Sequence, residues 1–125
     1  MKEVMAIVRI NQMNRTKEAL TKVGISSFTV TGRVMGRGKG LVDHQVLKAA
    51  DEGNEYAMSL LGSGPRLISK RMILIVVPDD MVSVTVDALI KTNQTGKAGD
   101  GKIFVLPAEE TYRVRTGEKG ESVLQ

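Results

Sequence analysis

A glycine- and lysine-rich loop is the stretch of this chain best suited to bind a ligand. Residues 94–105 read QTGKAGDGKIFV, in which three glycines free the backbone to turn sharply and to present bare N–H groups. Two lysines in the same loop add positive charge. Because backbone N–H groups and cations together suit an anion, the loop predicts a phosphate-binding site.

The loop matches most of a P-loop but differs from it in two ways. Gly96, four further residues, and then Gly101 and Lys102 fit the P-loop spacing. Ile103 follows, however, where a P-loop needs Ser or Thr to hold Mg²⁺. A P-loop also leaves a strand and opens a helix, whereas the patterns here predict a helix before the loop and a strand after it. The loop is therefore a phosphate-binding candidate in a different architecture.

Two further groups of cations are candidates as well. Residues 36–40 read GRGKG, which fits either an anion-binding nest or a flexible hinge, and its two cations favour the nest. Arg113 and Arg115 lie two apart in a predicted strand, which would point both guanidinium groups the same way. Such a pair either grips a phosphate or protects a solvent-facing strand edge, and the residues alone leave both readings open.

The composition limits the class of protein. The chain has 125 residues, enough for one domain with a core, and its 42% hydrophobic content is ordinary for a globular protein. The net charge of +4 mildly favours an anionic ligand, while 3% aromatic residues argue against a base-stacking nucleic-acid surface. No stretch is typical of a signal peptide or a membrane span, so we expect a cytoplasmic protein that is not embedded in a membrane.

Residue types also argue against catalysis and against a histidine or cysteine metal site. The sequence has no cysteine, and its single histidine, His44, has no second histidine or thiolate to share a metal. Serines and aspartates are present without a positioned base, so the sequence contains no arrangement typical of nucleophilic catalysis. We therefore expect no enzymatic activity and no resident metal.

Hydrophobic patterning predicts two similar halves. Asn14 would cap the first helix and Gly24 would end it, while Pro78 closes the most apolar strand. A mobile tail is expected over 116–125. The predicted elements are a strand over 3–10, a helix over 15–23, strands over 27–35 and 72–77, a helix over 82–92, and strands over 102–106 and 111–115.

The order strand–helix–strand, repeated after a long excursion, is typical of the ferredoxin-like split βαβ fold, an α+β class with an antiparallel sheet. Right-handed crossovers would place both helices on one face of that sheet. The other face then needs a cover. In so small a domain a further copy of the chain can supply it, so we expect an oligomer.

Several motifs together resemble those of the P-II nitrogen-regulatory signal-transduction proteins. Gln94–Val105 resembles the B-loop signature of that family, Val76–Asp80 resembles its V-V-P-D-D motif, and Arg113–Glu118 resembles its C-loop motif R-x-R-T-G-E. Val23–Ile25 and Thr29–Thr31 match the first half of the family's fold. The resemblance covers nearly the whole chain and implies a trimeric P-II assembly with three clefts between subunits.

The resemblance also implies how the chain is divided. The P-II domain would span 1–115, and the segment that contacts target proteins, the T-loop, would run over 36–66 with its central excursion from Leu41 to Pro65. The B-loop would be 94–102, the C-loop 111–118 and the tail 116–125.

Ligands follow from the resemblance in the same way. ATP or ADP would lie in each cleft, with 2-oxoglutarate beside the phosphates as effector and with Arg113 and Arg115 reaching in from the neighbouring subunit. The implied 2-oxoglutarate-binding residues are Gly38, Gly40 and Lys70. The implied nucleotide-binding residues are Ile7, Thr29, Gly36, Arg37, Gly38, Lys39, Val76, Gly99, Asp100, Gly101, Lys102, Arg113 and Arg115.

Departures from the family pattern bear on function, and one of them is a T-loop that is several residues longer than usual. Gly38 replaces a glutamine that helps to hold Mg²⁺ and 2-oxoglutarate, which leaves open whether Mg²⁺ bridges the effector. Leu74 stands where many members have a glutamate near the adenosine. Tyr56 follows Glu55 in a way that resembles the family's modified tyrosine, but the surrounding residues differ, which argues against nucleotidylylation there.

The long T-loop resembles that of the second of two P-II paralogues encoded with nitrogenase in methanogenic archaea. This resemblance implies a homotrimer, or a hetero-oligomer with a sister P-II protein, that inhibits dinitrogenase in nitrogen sufficiency and is released by 2-oxoglutarate. The alternative is a P-II regulator of an ammonium transporter or of glutamine synthetase. A remote alternative is an RNA-binding module on the same fold, which the scarcity of aromatic residues disfavours.

Overall fold

Within the described residues, the predicted order of strands and helices is confirmed as far as the strand that follows the second helix. The computed structural model describes residues 1–37 and 67–125. Short 3-10 turns lie at Ile10–Gln12, Asp79–Met81 and Glu121–Val123. The main elements are β1 (Lys2–Arg9), α1 (Met13–Lys22), β2 (Thr29–Arg37), β3 (Leu67–Val77), α2 (Val82–Asn93) and β4 (Gly101–Pro107).

The strands form one antiparallel sheet in the order β2-β3-β1-β4, which is the ferredoxin-like arrangement. In this register Ile7 on the central strand β1 lies opposite Met72 on one side and Lys102 on the other. Arg9 lies opposite Lys70. Because directly opposed residues in antiparallel strands share a face, all of these side chains belong to one face of the sheet.

The core lies on the other face, where α1 and α2 cover the sheet. Val4, Ala6 and Val8 alternate along β1 with less buried residues, and Ile73 and Ile75 do the same on β3. The two helices also contact each other, since the buried Asn93 amide donates a hydrogen bond to the Thr16 hydroxyl at 3.2 Å. Both helices therefore share one face as predicted. On the open face Phe104 is 46% exposed in the single chain.

The start of α1 differs from the prediction. The helix begins at Met13, directly after the 3-10 turn Ile10–Gln12, so Asn14 lies inside the first turn rather than before it. The predicted Asn14 cap is therefore wrong, and no side chain caps this helix. The predicted end is confirmed, because Gly24 follows with a φ of 89°, which favours glycine.

The predicted strand over 111–115 is wrong. The segment instead forms a small hairpin with the residues that follow it: Arg113 N–H donates to the Glu118 carbonyl at 2.7 Å, and Gly120 N–H donates to the Thr111 carbonyl at 3.0 Å. Only one bridge, between Tyr112 and Lys119, pairs as strands do in this hairpin. Local hydrogen bonds thus replace pairing with the sheet. The domain boundary at 115 and the mobility of 116–125 stay predictions.

No helix within residues 1–37 and 67–125 is long and apolar enough to cross a membrane.

Gly101, at the start of β4, permits the close approach of the cationic loop to β1. Its φ is 112°, and a Cβ atom there would overlap the Ile7 carbonyl oxygen. We expect Gly101→Ala to lower the free energy of unfolding by about 3 kcal/mol or more, because backbone strain adds to the overlap. Urea unfolding measures this change.

Gly96→Ala is the matched control for that substitution. Gly96 also has a positive φ, 81°, but no atom lies within 4 Å of its added Cβ position. We expect this control to lose only the strain component, about 1–2 kcal/mol. Equal losses in the two variants would contradict the role given to the close approach.

Candidate functional site: a cationic loop at one end of the open sheet face

The loop between α2 and β4 closes around the carboxylate of Asp100. That carboxylate accepts hydrogen bonds from the Thr95 backbone N–H at 2.7 Å, from the Thr95 hydroxyl at 2.5 Å and from the Gly96 N–H at 3.0 Å. These donors lower the pKa of Asp100 to about 2, with the two bonds from Thr95 as the main cause. The Asp100 carboxylate is therefore hydrogen-bonded within its own loop. The loop follows α2 and precedes β4, so the predicted helix-to-strand order is confirmed.

Arg9 ties this loop to the end of β1. Its guanidinium donates to the Ala98 carbonyl at 2.9 Å and lies 3.4 Å from an oxygen of the Asp100 carboxylate. Sequence reasoning missed Arg9 because β1 reads mainly as an apolar strand. The available signal was its position two residues after Ile7, which places it on the same face as that predicted site residue.

Lys70 is the most buried cation of the site. Its side chain is 3% exposed, and its ammonium donates to the Gly99 carbonyl at 2.7 Å. Burial lowers its pKa, the neighbouring Arg9 lowers it further, and Asp100 acts in the opposite direction. Gly36 leaves room for this side chain, because a Cβ there would lie 2.7 Å from Cδ of Lys70. The structure thus brings Gly36, Lys70 and the loop together.

The charges at this end of the sheet suit an anionic ligand. Lys102 is exposed opposite Ile7, and with Arg9 and Lys70 it provides positive charge around the one carboxylate of Asp100. That carboxylate already accepts hydrogen bonds from its own loop and, like a phosphate, it is negatively charged. Asp100 would therefore contact a bound phosphate through its backbone and not through its side chain. Gly36, Gly99 and Gly101 pack closely against Lys70, Arg9 and the Ile7 carbonyl, respectively, whereas no atom lies within 4 Å of an added Cβ at Gly96. These residues fit a phosphate or carboxylate group.

Of the other predicted site residues, Val76 lies towards the opposite end of the sheet and Thr29 lies between the two ends. Val76 lies opposite Glu3 near the start of β1, and Thr29 lies opposite Leu74. From Met72, the partner of Ile7, to Val76 is four residues along β3, or about 13 Å. Val76 lines a cavity there together with the C-terminal residues Glu121 and Ser122.

The two arginines of the C-terminal hairpin differ in their surroundings. Arg113 is paired with Glu118, whose carboxylate oxygen lies 3.1 Å from the guanidinium. Arg115 is exposed in the turn of the hairpin, so the expectation that both point the same way from a strand is wrong. Arg37 ends β2 opposite Leu67. Gly38, Lys39, Gly40 and Tyr56 lie outside the described residues.

In the part of the chain that the structure describes, no three His, Cys, Asp or Glu side chains come together as metal ligands.

Comparison with known proteins decides the family. A family model described as nitrogen regulatory protein P-II matches residues 1–118. The chain belongs to the P-II family. A protein of Methanobacterium ivanovii named "Nitrogen fixation nifHD region GlnB-like protein 2" is 44% identical over 129 residues, covering 99% of each chain. "Nitrogen regulatory protein P-II 1" of Escherichia coli K12 is 42% identical over 125 residues, covering 99% of this chain and 100% of that protein.

A solved structure agrees with this assignment. The crystal structure of Arabidopsis thaliana PII bound to citrate matches with a TM-score of 0.73 at 33% identity, covering 99% of this chain and 89% of that one. The resemblance to the P-II family, including nitrogen-fixation members from methanogens, is therefore confirmed. P-II proteins are signalling regulators rather than enzymes, and the family generally binds ATP or ADP and 2-oxoglutarate.

We expect Asp100→Asn to weaken the loop and to flatten its acid response. The stabilisation from a carboxylate with a lowered pKa is complete above the unfolded pKa of about 4 and is lost as pH falls through about 2. The variant should therefore unfold at a lower temperature than the parent at neutral pH, and this difference should shrink in acid. Thermal unfolding midpoints across that pH range measure the effect.

Asp87→Asn is the control, since Asp87 pairs with Lys91 at 2.9 Å on the exposed surface of α2. We expect its midpoint to follow the parent's acid profile. If Asp100→Asn followed that profile too, the proposed role of the Asp100 carboxylate would be wrong.

Proposed function

We propose that this P-II regulator senses nitrogen status by binding ATP or ADP and 2-oxoglutarate in clefts between three copies of the chain. In this proposal segment 36–66 contacts the target, which is dinitrogenase, and nitrogen sufficiency leads to its inhibition. The observation that carries the proposal is the division of the site residues between the two ends of one open sheet face.

That division supports an oligomer with shared sites. Ile7, Lys70 and Lys102 lie at the end of the sheet where β4 begins. The hairpin that bears Arg113 and Arg115 follows the other end, where Ala108 N–H donates to the Met1 carbonyl beside the end of β4. Six residues of extended β4 separate these ends, about 20 Å. A neighbouring copy in the proposed trimer would bring its arginines to the cationic loop of the first.

The phosphates of the nucleotide would contact the loop and those arginines. Lys102 supplies an exposed cation, and the glycine-rich backbone of the same loop would supply N–H donors. Arg113 now pairs with the Glu118 carboxylate at 3.1 Å, and a phosphate would take the place of that carboxylate. Thr29 and Val76 of the same neighbouring copy would line the base and sugar region, with Ile7 on the first copy.

The effector 2-oxoglutarate would bind at Lys70 and segment 36–40. Lys70 donates to the neutral carbonyl of Gly99, and an effector carboxylate is a stronger acceptor than a neutral carbonyl. Its binding would therefore draw the Lys70 ammonium away from the loop. Because Gly36 packs against the same side chain, that shift would reach the base of the T-loop. An effector that favours a different T-loop arrangement weakens target binding.

The nitrogenase target is supported by the relatives. Proteins of Methanobacterium ivanovii, Methanothermobacter marburgensis and Methanosarcina barkeri that are 44%, 41% and 42% identical to this chain carry nitrogen-fixation nifHD or nifHD1 region names.

We expect Lys102→Ala to weaken ATP binding in isothermal titration calorimetry. Loss of a charge-assisted bond to a phosphate costs about 1.5–3 kcal/mol, which corresponds to about a tenfold to hundredfold higher Kd. Lys91→Ala is the control, because Lys91 lies on the exposed surface of α2 and should leave Kd unchanged. Absence of ATP binding to the parent protein would refute the nucleotide site.

We expect deletion of residues 41–65 to abolish capture of dinitrogenase while leaving ATP binding intact. Capture by the full chain should fall when 2-oxoglutarate and ATP are added together. Pull-down with and without effector measures both effects. Unchanged capture by the deletion variant would refute the T-loop role, and capture of an ammonium transporter or glutamine synthetase in place of dinitrogenase would favour the alternative target.

A further inference from the structure

An apolar groove lies between α2 and the edge strand β4, on the helical side of the sheet. We name it the α2–β4 groove; its volume is about 470 Å³ and its walls include Val86, Ile90, Ile103 and Val105. Ile90 and Val105 are 42% and 47% exposed. The groove is thus separate from the open face that carries Ile7 and Lys70, and exposed apolar surface of this kind favours a partner.

The rim of the groove is continuous with the cationic loop. Asp100, Gly101 and Lys102 line its mouth, together with Gln94 at the end of α2. Lys102 begins the edge strand β4, so it borders both the open face and this groove. In the proposed assembly, a second copy whose arginines reach Lys102 would therefore also bring the residue between those arginines close to the groove.

That residue is Val114, at the tip of the C-terminal hairpin. Its exposure is 100%, so it contacts nothing in its own chain and does not occupy its own groove. The hairpin around it is well ordered by bonds on both sides: Arg113 N–H donates to the Glu118 carbonyl, and Gly117 N–H donates to the Arg113 carbonyl, each at 2.7 Å. The ion pair between Arg113 and Glu118 adds a third link. A preorganised apolar tip of this kind loses little conformational entropy on docking.

We infer that Val114 of one copy inserts into the α2–β4 groove of the next copy and anchors the C-terminal hairpin there. This inference rests on the proposed function, since it takes the approach of Arg113 and Arg115 to the neighbouring loop as given. The tip and the groove are different surfaces, so the contact is head-to-tail and repeats around a closed ring. In the ring of three, each copy would supply one tip and receive one.

The absence of native cysteine makes the contact directly testable. The probe is the double variant Val114→Cys with Ile90→Cys, oxidised mildly in the presence of ATP and separated on a non-reducing gel. Disulfides between successive copies should give covalent dimers and then trimers. The matched control is Val114→Cys with Val84→Cys, because Val84 lies on the same helix with similar exposure, 40%, but outside the groove. This control should give no covalent trimer.

A second variant tests the same contact without cross-linking. Val114→Asp should shift the sedimentation mass from trimer towards monomer, whereas Val84→Asp should leave the trimer intact. Since Val114 contacts nothing in its own chain, the substitution leaves the folded copy undisturbed.

The outcomes separate this inference from the proposed function. A parent protein that forms trimers and binds ATP, but whose two cysteine pairs cross-link equally, overturns the Val114 contact alone. So does a Val114→Asp trimer as stable as the parent's. A parent protein that is monomeric and does not bind ATP overturns both the shared site and this contact.

Discussion

The carboxylate of Asp100 holds together the loop on which the proposed ligand site depends. It accepts hydrogen bonds from Thr95 and Gly96 on one side and lies beside the Arg9 guanidinium on the other. The first set closes the loop, and the second attaches the loop to β1. Without that internal anion, Arg9 and Lys70 would repel each other across the register of β1 and β3. Because the negative charge of the loop is already hydrogen-bonded internally, the exposed Lys102 remains available to a ligand in the proposed site.

The ferredoxin-like sheet gives this chain one covered and one open face. α1 and α2 bury the apolar residues on one side, and the other side carries the cations together with partly exposed side chains such as Phe104. Such a sheet in isolation leaves its open face unfilled. In the proposed trimer the neighbouring copies cover that face and also complete the ligand site. Ligand binding would therefore require the assembled trimer.

Several parts of the fold were predictable from local sequence. β1, β3 and α2 have strong apolar patterns, so their existence and order follow from periodicity. The start of α1 and the C-terminal segment were predicted wrongly. In the first, a 3-10 turn carries the chain into the helix without a cap; in the second, hydrogen bonds between Arg113 and Glu118 replace pairing with the sheet. In both segments a few polar residues can adopt several local conformations of similar free energy, so the sequence pattern does not single out the observed one.

The sequence by itself determined the family, the helix-to-strand setting of the glycine-rich loop, and the cations that a phosphate ligand needs, because these depend on residue type and spacing within short segments. Only the tertiary structure decided that Arg9 joins the loop, that Lys70 is buried against Gly36, and that Arg113 pairs with Glu118. Strand register and chain reversal bring those groups together across 91, 34 and five positions, and no local pattern encodes such distances. The same register separates the two groups of predicted site residues, and this separation is the reason for proposing that a second copy completes the site.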